Sequence, residues 1–207
     1  MAWNDHYFAL SQTALVNMSL AAATTTFGAR SLSHRAVGSP YMGNAVIRRA
    51  ERRDADALFR LLTALAEFEG LEPPDRAARL RLSNDIFERK RLQVFLAEAG
   101  AKAVGYALYF YSYSSFLGRP TLYLEDIFVL KEYRGKGIGS ALFRRCIREA
   151  RVGGCGRMEW AVLTWNRKAI DFYEKAGARR LADWYVYRLD SDQFESVSGK
   201  RSSRVPG

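Results

Sequence analysis

The sequence predicts an α/β fold built on a mixed sheet, and three observations carry that prediction. Period-two apolar runs alternate with stretches of helical spacing along most of the chain. Two of the runs, "QVFLAEA" and "AVGYALYFYSYS", are separated only by a tight turn at Gly100, so adjacent strands precede the strand–helix alternation and the sheet is not wholly parallel. A glycine-rich loop then joins an apolar strand to a helix in "YRGKGIGSAL".

The elements follow in order. "AVIRRA" is a short strand. Leu58, Leu61, Leu62 and Leu65 give helical spacing from about Asp54 to Glu69, ended by Gly70. "PPDRAARLRL" opens with prolines suited to a helix start, and a second helical stretch continues to about Lys90. The hairpin comes next, then the strand "TLYLEDIFVL" and the glycine loop. Leu142, Phe143, Cys146, Ile147 and Ala150 form the apolar stripe of the following helix. "MEWAVLTW" is a strand, "NRKAIDFYEKAG" a helix ending at Gly177, and "DWYVYRL" a last strand.

Composition bounds the function. The 207 residues suffice for one ordinary domain, here assigned to 44–195, and no apolar run is long enough to span a bilayer. Residues 1–43, poor in acids and rich in Ser, Thr and Ala, read as a region upstream of a natural start at Met42 or as an organellar targeting segment; 196–207 read as a disordered tail. The domain carries 27 Lys/Arg against 21 Asp/Glu, so its +6 fits a phosphorylated small ligand, nucleic acid or a solvated surface equally well. Both histidines, His6 and His34, precede the domain, and Cys146 and Cys155 have no metal-ligand spacing. Ser-His and Cys-His nucleophiles are excluded, no metal site is expected, and proton transfer falls to carboxylate, tyrosine, lysine or water.

The loop Arg134, Gly135, Lys136, Gly137, Ile138, Gly139, Ser140 lies where free backbone N–H groups meet the positive end of a helix, a setting suited to phosphate. It fits neither a Walker loop nor the G-x-G-x-x-G dinucleotide fingerprint. Taken with "LYLEDIFV" and "LTWNRKAIDFYEKAGA", it resembles the pyrophosphate-binding segment of the GNAT superfamily of N-acetyltransferases. Within that superfamily the three motifs resemble the diamine (spermidine/spermine-type) and thialysine acetyltransferases.

The resemblance implies a mostly antiparallel central sheet, splayed at an acetyl-CoA site, with helices on both faces. It implies direct attack of a primary amine on the thioester through a tetrahedral adduct, with Glu125 as proton acceptor and Tyr173 as the acid for the departing thiolate. A carboxylate is a poor acceptor from an ammonium in solution, but burial would raise it and transfer becomes downhill once the tetrahedral adduct forms; a tyrosine near 10 lies close to a thiol near 8.5. Glu125 and Asp126 are consecutive on a strand, so their side chains are expected on opposite faces. Backbone amides of Ile127, Phe128 and Val129, the loop from Arg134 to Ser140, and Asn166, Ala169 and Tyr173 are implied as acetyl-CoA contacts. Asn166 is also a plausible helix N-cap.

Phe68, Glu69, Glu125, Asp126, Glu159 and Trp160 are implied as lining the amine site. One departure bears on polyamine preference: the segment before Trp184 is the short "RRLAD", with Asp183 its only acid. The expected substrate is therefore a small di- or polyamine or a lysine-like amino acid. The alternatives are acetylation of a protein lysine or N-terminus, and a CoA-binding module without turnover. A homodimer in the cytoplasm is expected (an organelle if 1–43 is a targeting segment), with neither nucleic acid nor membrane as partner.

Overall fold

A computed structural model of the chain describes residues 45–199, so the segment 1–43 and most of the tail lie outside the described residues. Five strands form one sheet in the order β1-β2-β3-β4-β5: β1 (Ala45–Arg49), β2 (Gln93–Ala99), β3 (Lys102–Ser114), β4 (Arg119–Val129) and β5 (Arg157–Glu159). The first three pairings are antiparallel and only β4–β5 is parallel. The mixed, mostly antiparallel sheet expected from the sequence is the one observed.

Helices cover both faces. Helix α1 (Ala55–Glu69) buries Leu58 and Leu61 against Leu96, Tyr106, Leu108 and Phe128, and ends where Gly70 turns left-handed at φ 72°. Helix α2 (Arg76–Ser83) is capped by Asp75, whose carboxylate accepts the Ala78 N–H at 2.7 Å. The expected continuation towards Lys90 is a π-helical turn over Asn84–Glu88, which carries Ile86 and Phe87 into the core. On the other face, α3 (Ile138–Val152) and α4 (Arg167–Lys175) pack Leu142, Phe143, Cys146 and Tyr173 against Phe95, Tyr109, Leu122 and Leu124. Each large apolar side chain so buried contributes about 1.5–3 kcal/mol.

Two expected elements differ. "MEWAVLTW" contributes only Met158 and Glu159 to β5, after Arg157, and Trp160 to Trp165 leave the sheet. "DWYVYRL" pairs with no described strand; Trp184, Tyr185, Val186 and Tyr187 are each at least three-quarters exposed. Its aromatic and β-branched residues favour extended backbone, but among the described residues the sheet ends at β5, and a strand signal cannot supply a neighbouring edge. A short helix, α5 (Phe194–Val197), crosses the boundary expected at residue 195.

Candidate active site

Strand β4 is the spine of the site. It pairs with β3 from Arg119 to Val129, but with β5 only at Thr121, Leu122 and Tyr123. Beyond Tyr123 its second edge has no strand partner among the described residues, so the sheet is open there. Leu130 donates its N–H to Val104 on β3 at 2.9 Å. Neighbouring amides of a strand point to opposite edges, so Phe128 also faces β3 while Ile127 and Val129 present their N–H groups to the open edge. Of the three expected backbone donors, Ile127 and Val129 are free to bind a ligand. The approach of β3 to β4 here requires Gly105, because a Cβ there would lie 2.7 Å from the Phe128 carbonyl.

The glycine loop follows directly. Gly135 and Gly137 have φ of 75° and 78°, a region costly for any other residue and worst for β-branched ones. Gly137 is the N-cap of α3 and offers no side-chain cap, so the first-turn amides are left for a ligand. Ile138 turns its side chain into the core, and only its backbone can serve the loop. Arg134 does more than place a charge beside the loop. Its Nε donates to the Val129 carbonyl at 2.8 Å, and its guanidinium lies 4.6 Å from the Phe68 ring centre and 5.3 Å from that of Phe128. It ties the loop to the end of β4 and to the end of α1.

Upstream on β4 the pairing register slips. Leu108 faces Asp126 but Tyr109 faces Leu124, so Glu125 is the extra residue of a β-bulge. The bulge overturns the expectation that Glu125 and Asp126 point to opposite faces. Asp126 shares the α1 side of the sheet with Leu108 and Tyr106, and the Glu125 charge acts on Asp126, Tyr106 and Tyr123 of that same side. Glu69, the last residue of α1, acts on the same group. The charges of Glu69 and Glu125 thus both bear on Asp126. Burial, with Glu125 and Glu69 adding to it, pushes Asp126 up to about 6, against a lowering hydrogen bond from the Tyr106 hydroxyl at 3.1 Å. Burial also raises Glu69.

The other face of the sheet is aromatic. Tyr173 is buried, with ring centres of Trp160, Phe172 and Phe143 at 4.8, 5.3 and 5.7 Å. Its hydroxyl is pushed up to about 12 by burial, so it stays protonated and is a weaker acid than a phenol in water. Asn166 caps α4 as expected, its Oδ1 accepting the Ala169 N–H at 3.2 Å. That commits the Asn166 oxygen to the helix and fixes the helix that carries Tyr173.

A strand edge left open beside a phosphate-suited loop is the geometry that the sequence comparison bears on. A profile described as the Acetyltransferase (GNAT) family matches residues 55–178, which span α1 to the end of α4. The chain belongs to the GNAT acetyltransferase family. It is an N-acetyltransferase, and the family takes acetyl-CoA as co-substrate. A thialysine N-epsilon-acetyltransferase of Sus scrofa is 36% identical over 171 residues, covering 77% of this chain and 100% of that protein. An L-ornithine N5-acetyltransferase of Arabidopsis thaliana is 41% identical over 93 residues, 45% of this chain and 41% of that one. A spermidine/spermine N(1)-acetyltransferase-like protein of Homo sapiens is 30% identical over 159 residues, 72% of this chain and 23% of that one. Among solved structures, a probable acetyltransferase superposes with TM-score 0.63 at 25% identity, over 70% of this chain and 97% of its own.

Within this GNAT domain the sequence-derived site residues separate into groups. Phe68, Glu69, Glu125 and Asp126 come together on the α1 side of β4, and Glu159 shares that side through its pairing with Tyr123. Glu159 is itself ion-paired with Arg157 at 3.0 Å. Trp160 is not with them. The alternation of β5 turns it to the opposite face, wedged between Phe143 and Tyr173, so it packs against Tyr173 rather than lining the carboxylates. Two residues were missed. Trp165 packs against Phe68 with ring centres 5.5 Å apart and planes tilted by 57°. Tyr106, fully buried, carries a hydroxyl that needs a partner, and a tyrosine at an inward strand position is the signal that could have found it.

Proposed function

We propose that the chain transfers the acetyl group of acetyl-CoA to a primary amine of a small di- or polyamine or a lysine-like amino acid. One observation carries the reading: buried Asp126, beside the open edge of β4, feels the charges of Glu69 and Glu125 and has no arginine or lysine bridging to it among the described residues. Such a spot attracts a substrate with more than one positive charge. The names of the relatives support it, since thialysine, ornithine and spermidine/spermine are all amines of this kind.

The residues fit the co-substrate. The first-turn amides of α3 and the left-handed glycines at 135 and 137 suit a pyrophosphate, and the open-edge amides of Ile127 and Val129 suit a pantetheine arm and the thioester oxygen. When bound, acetyl-CoA supplies the activated acyl group. Glu125, exposed on the bulge, takes the proton of the attacking amine; Asp126 and Glu69 hold the charge of the substrate; Tyr173 donates to the departing sulfur.

The experiment is acetyl transfer from acetyl-CoA across a panel of thialysine, lysine, ornithine, putrescine, spermidine, a lysine peptide and a free peptide N-terminus. Turnover confined to the small amines is the expected result; preference for the peptides would replace this reading. We also propose a homodimer, because Trp184 to Tyr187 leave an aromatic segment uncovered that a second copy would bury. Light scattering of the full chain checks this, with monomer as the contrary result. A cytoplasmic location is proposed as well, and imaging of the tagged full chain in an organelle would contradict it.

A further inference from the structure

The Tyr106 hydroxyl has one hydrogen-bond partner among the described residues, and that partner is Asp126. The ring is fully buried on β3 between Leu96, Leu108 and Phe128, with the Phe128 ring centre 6.4 Å away. The hydroxyl reaches Asp126 Oδ2 at 3.1 Å. A buried hydroxyl without a partner costs about 1–3 kcal/mol, so the fold itself holds this donor on the carboxylate. Burial, with Asp126, Glu69 and Glu125 nearby, also raises Tyr106 well above the ordinary tyrosine range, so it never competes as a second anion.

The two oxygens of Asp126 are thereby made unequal. Oδ2 is engaged by Tyr106, which leaves Oδ1 for a ligand. The groups that face Asp126 are Tyr106 from β3, Glu69 from α1 and Glu125 from its own strand. The two carboxylates oppose its ionisation and only the hydroxyl favours it. Without that donor the carboxyl would be neutral over more of the physiological range, and a neutral carboxyl is a poor counter-ion for an ammonium.

We propose that Tyr106 is a positioning residue for amine binding: its hydroxyl keeps Asp126 ionised and aims the free oxygen at the cationic substrate, and so sets the lower pH limit of substrate capture. The proposal rests on the reading of Asp126 as a substrate counter-ion. A test by titration alone therefore separates its failure from the failure of that reading.

The test is carbon-13 NMR of the uniformly labelled full chain, with the Asp126 carboxyl assigned by its loss in Asp126→Asn. Wild-type Asp126 is expected to titrate near pH 6, with the Tyr106 Cζ resonance moving through the same midpoint. Tyr106→Phe is expected to raise the Asp126 midpoint by about one to two pH units, the worth of a hydrogen bond to a charged group. The acid limb of kcat/KM for the best amine is expected to move by the same amount, through KM, with kcat at high pH within about threefold of wild type. An unchanged Asp126 midpoint in a folded Tyr106→Phe chain would overturn the proposal, as would an equal loss of kcat/KM at every pH. If the phenylalanine chain does not fold, the wild type decides: a Tyr106 Cζ that stays flat through the Asp126 titration overturns it. An enzyme inactive on every amine would remove the substrate reading, while the titration would still decide the hydrogen bond.

Discussion

The two faces of β4 meet at its open edge and are built from opposite chemistry. Towards α3 and α4 lie Phe143, Trp160, Phe172 and Tyr173, carbon surfaces with the Tyr173 hydroxyl among them. Towards α1 lie Glu69, Glu125, Asp126 and the hydroxyl of Tyr106. Burial acts on both faces, with opposite consequences. It lifts Tyr173 to about 12, which keeps a phenol as a donor, and lifts Asp126 to about 6, which brings a carboxylate close to neutrality. One physical cause thus holds the Tyr173 proton in place on one side and works against the charge of Asp126 on the other, where only the Tyr106 hydroxyl opposes it. The edge between them is open because β5 stops pairing after Glu159.

The largest effect is expected where the comparison breaks down, at the loop that serves both faces. Gly137→Val puts a β-branched residue at φ 78° and pushes side-chain atoms against any bound phosphate. Calorimetry is expected to show acetyl-CoA affinity reduced by more than about a hundredfold, roughly 2.7 kcal/mol or more, in a chain with a normal circular-dichroism spectrum. Normal affinity in the folded variant removes the loop from pyrophosphate binding.

Asp126→Asn sharpens the acidic side. Because its folded-state pKa lies above the ordinary carboxylate value, ionised Asp126 burdens the fold above about pH 6, and that burden fades as pH falls into the usual carboxylate range. The asparagine chain is expected to be more stable than wild type at pH 8 by about 1–3 kcal/mol, with the gain vanishing towards pH 4, while KM for the amine rises at least about tenfold. Denaturant melts at the two pH values check it; a loss of stability at pH 8 would show that the carboxylate is well paired.

Asn166→Ala tests the aromatic side through its support. Losing the cap on α4 is expected to cost about 0.5–2 kcal/mol and to lower kcat modestly by loosening Tyr173, with little change in KM. The smallest expected effect is none. No cluster of three His, Cys, Asp or Glu side chains is placed to hold a metal ion among the described residues, and chelation is expected to leave turnover unchanged. Loss of activity restored by zinc would contradict the proposed proton transfers.

The parts of this arrangement visible in the sequence are those written in local spacing. The strand–loop–helix from Thr121 to Ala150 is set by an apolar run, glycines at left-handed positions and an amphipathic stripe, and each cue acts within a few residues. Gly70 as a helix stop and Asn166 as a cap are legible for the same reason. The bulge at Glu125 is not, because it is a relation between two strands, and neither "ALYF" nor "LEDI" alone shows that one of them has a residue too many. That slip decides which face Glu125 and Asp126 share, so period-two reasoning placed them apart. The aromatic segment at Trp184 misled in the opposite way, since its composition suits a strand but the described sheet offers it no edge. Tyr106 and Trp165 escaped because their partners, Asp126 and Phe68, come from distant segments.

The central claim is that the two faces of β4 divide the proton transfers, and the most direct test pairs Tyr173→Phe and Glu125→Gln with two acyl donors that differ in the acidity of the leaving thiol. If Tyr173 donates to the departing sulfur, Tyr173→Phe is expected to lower kcat by roughly 10²–10⁴-fold with acetyl-CoA, and the loss is expected to shrink with the more acidic thiol, which needs less help. Glu125→Gln is expected to lose the same factor with both donors, because the amine is unchanged. Equal losses for Tyr173→Phe with both donors, or normal turnover of that variant with acetyl-CoA, would contradict the division and leave Tyr173 as a packing residue.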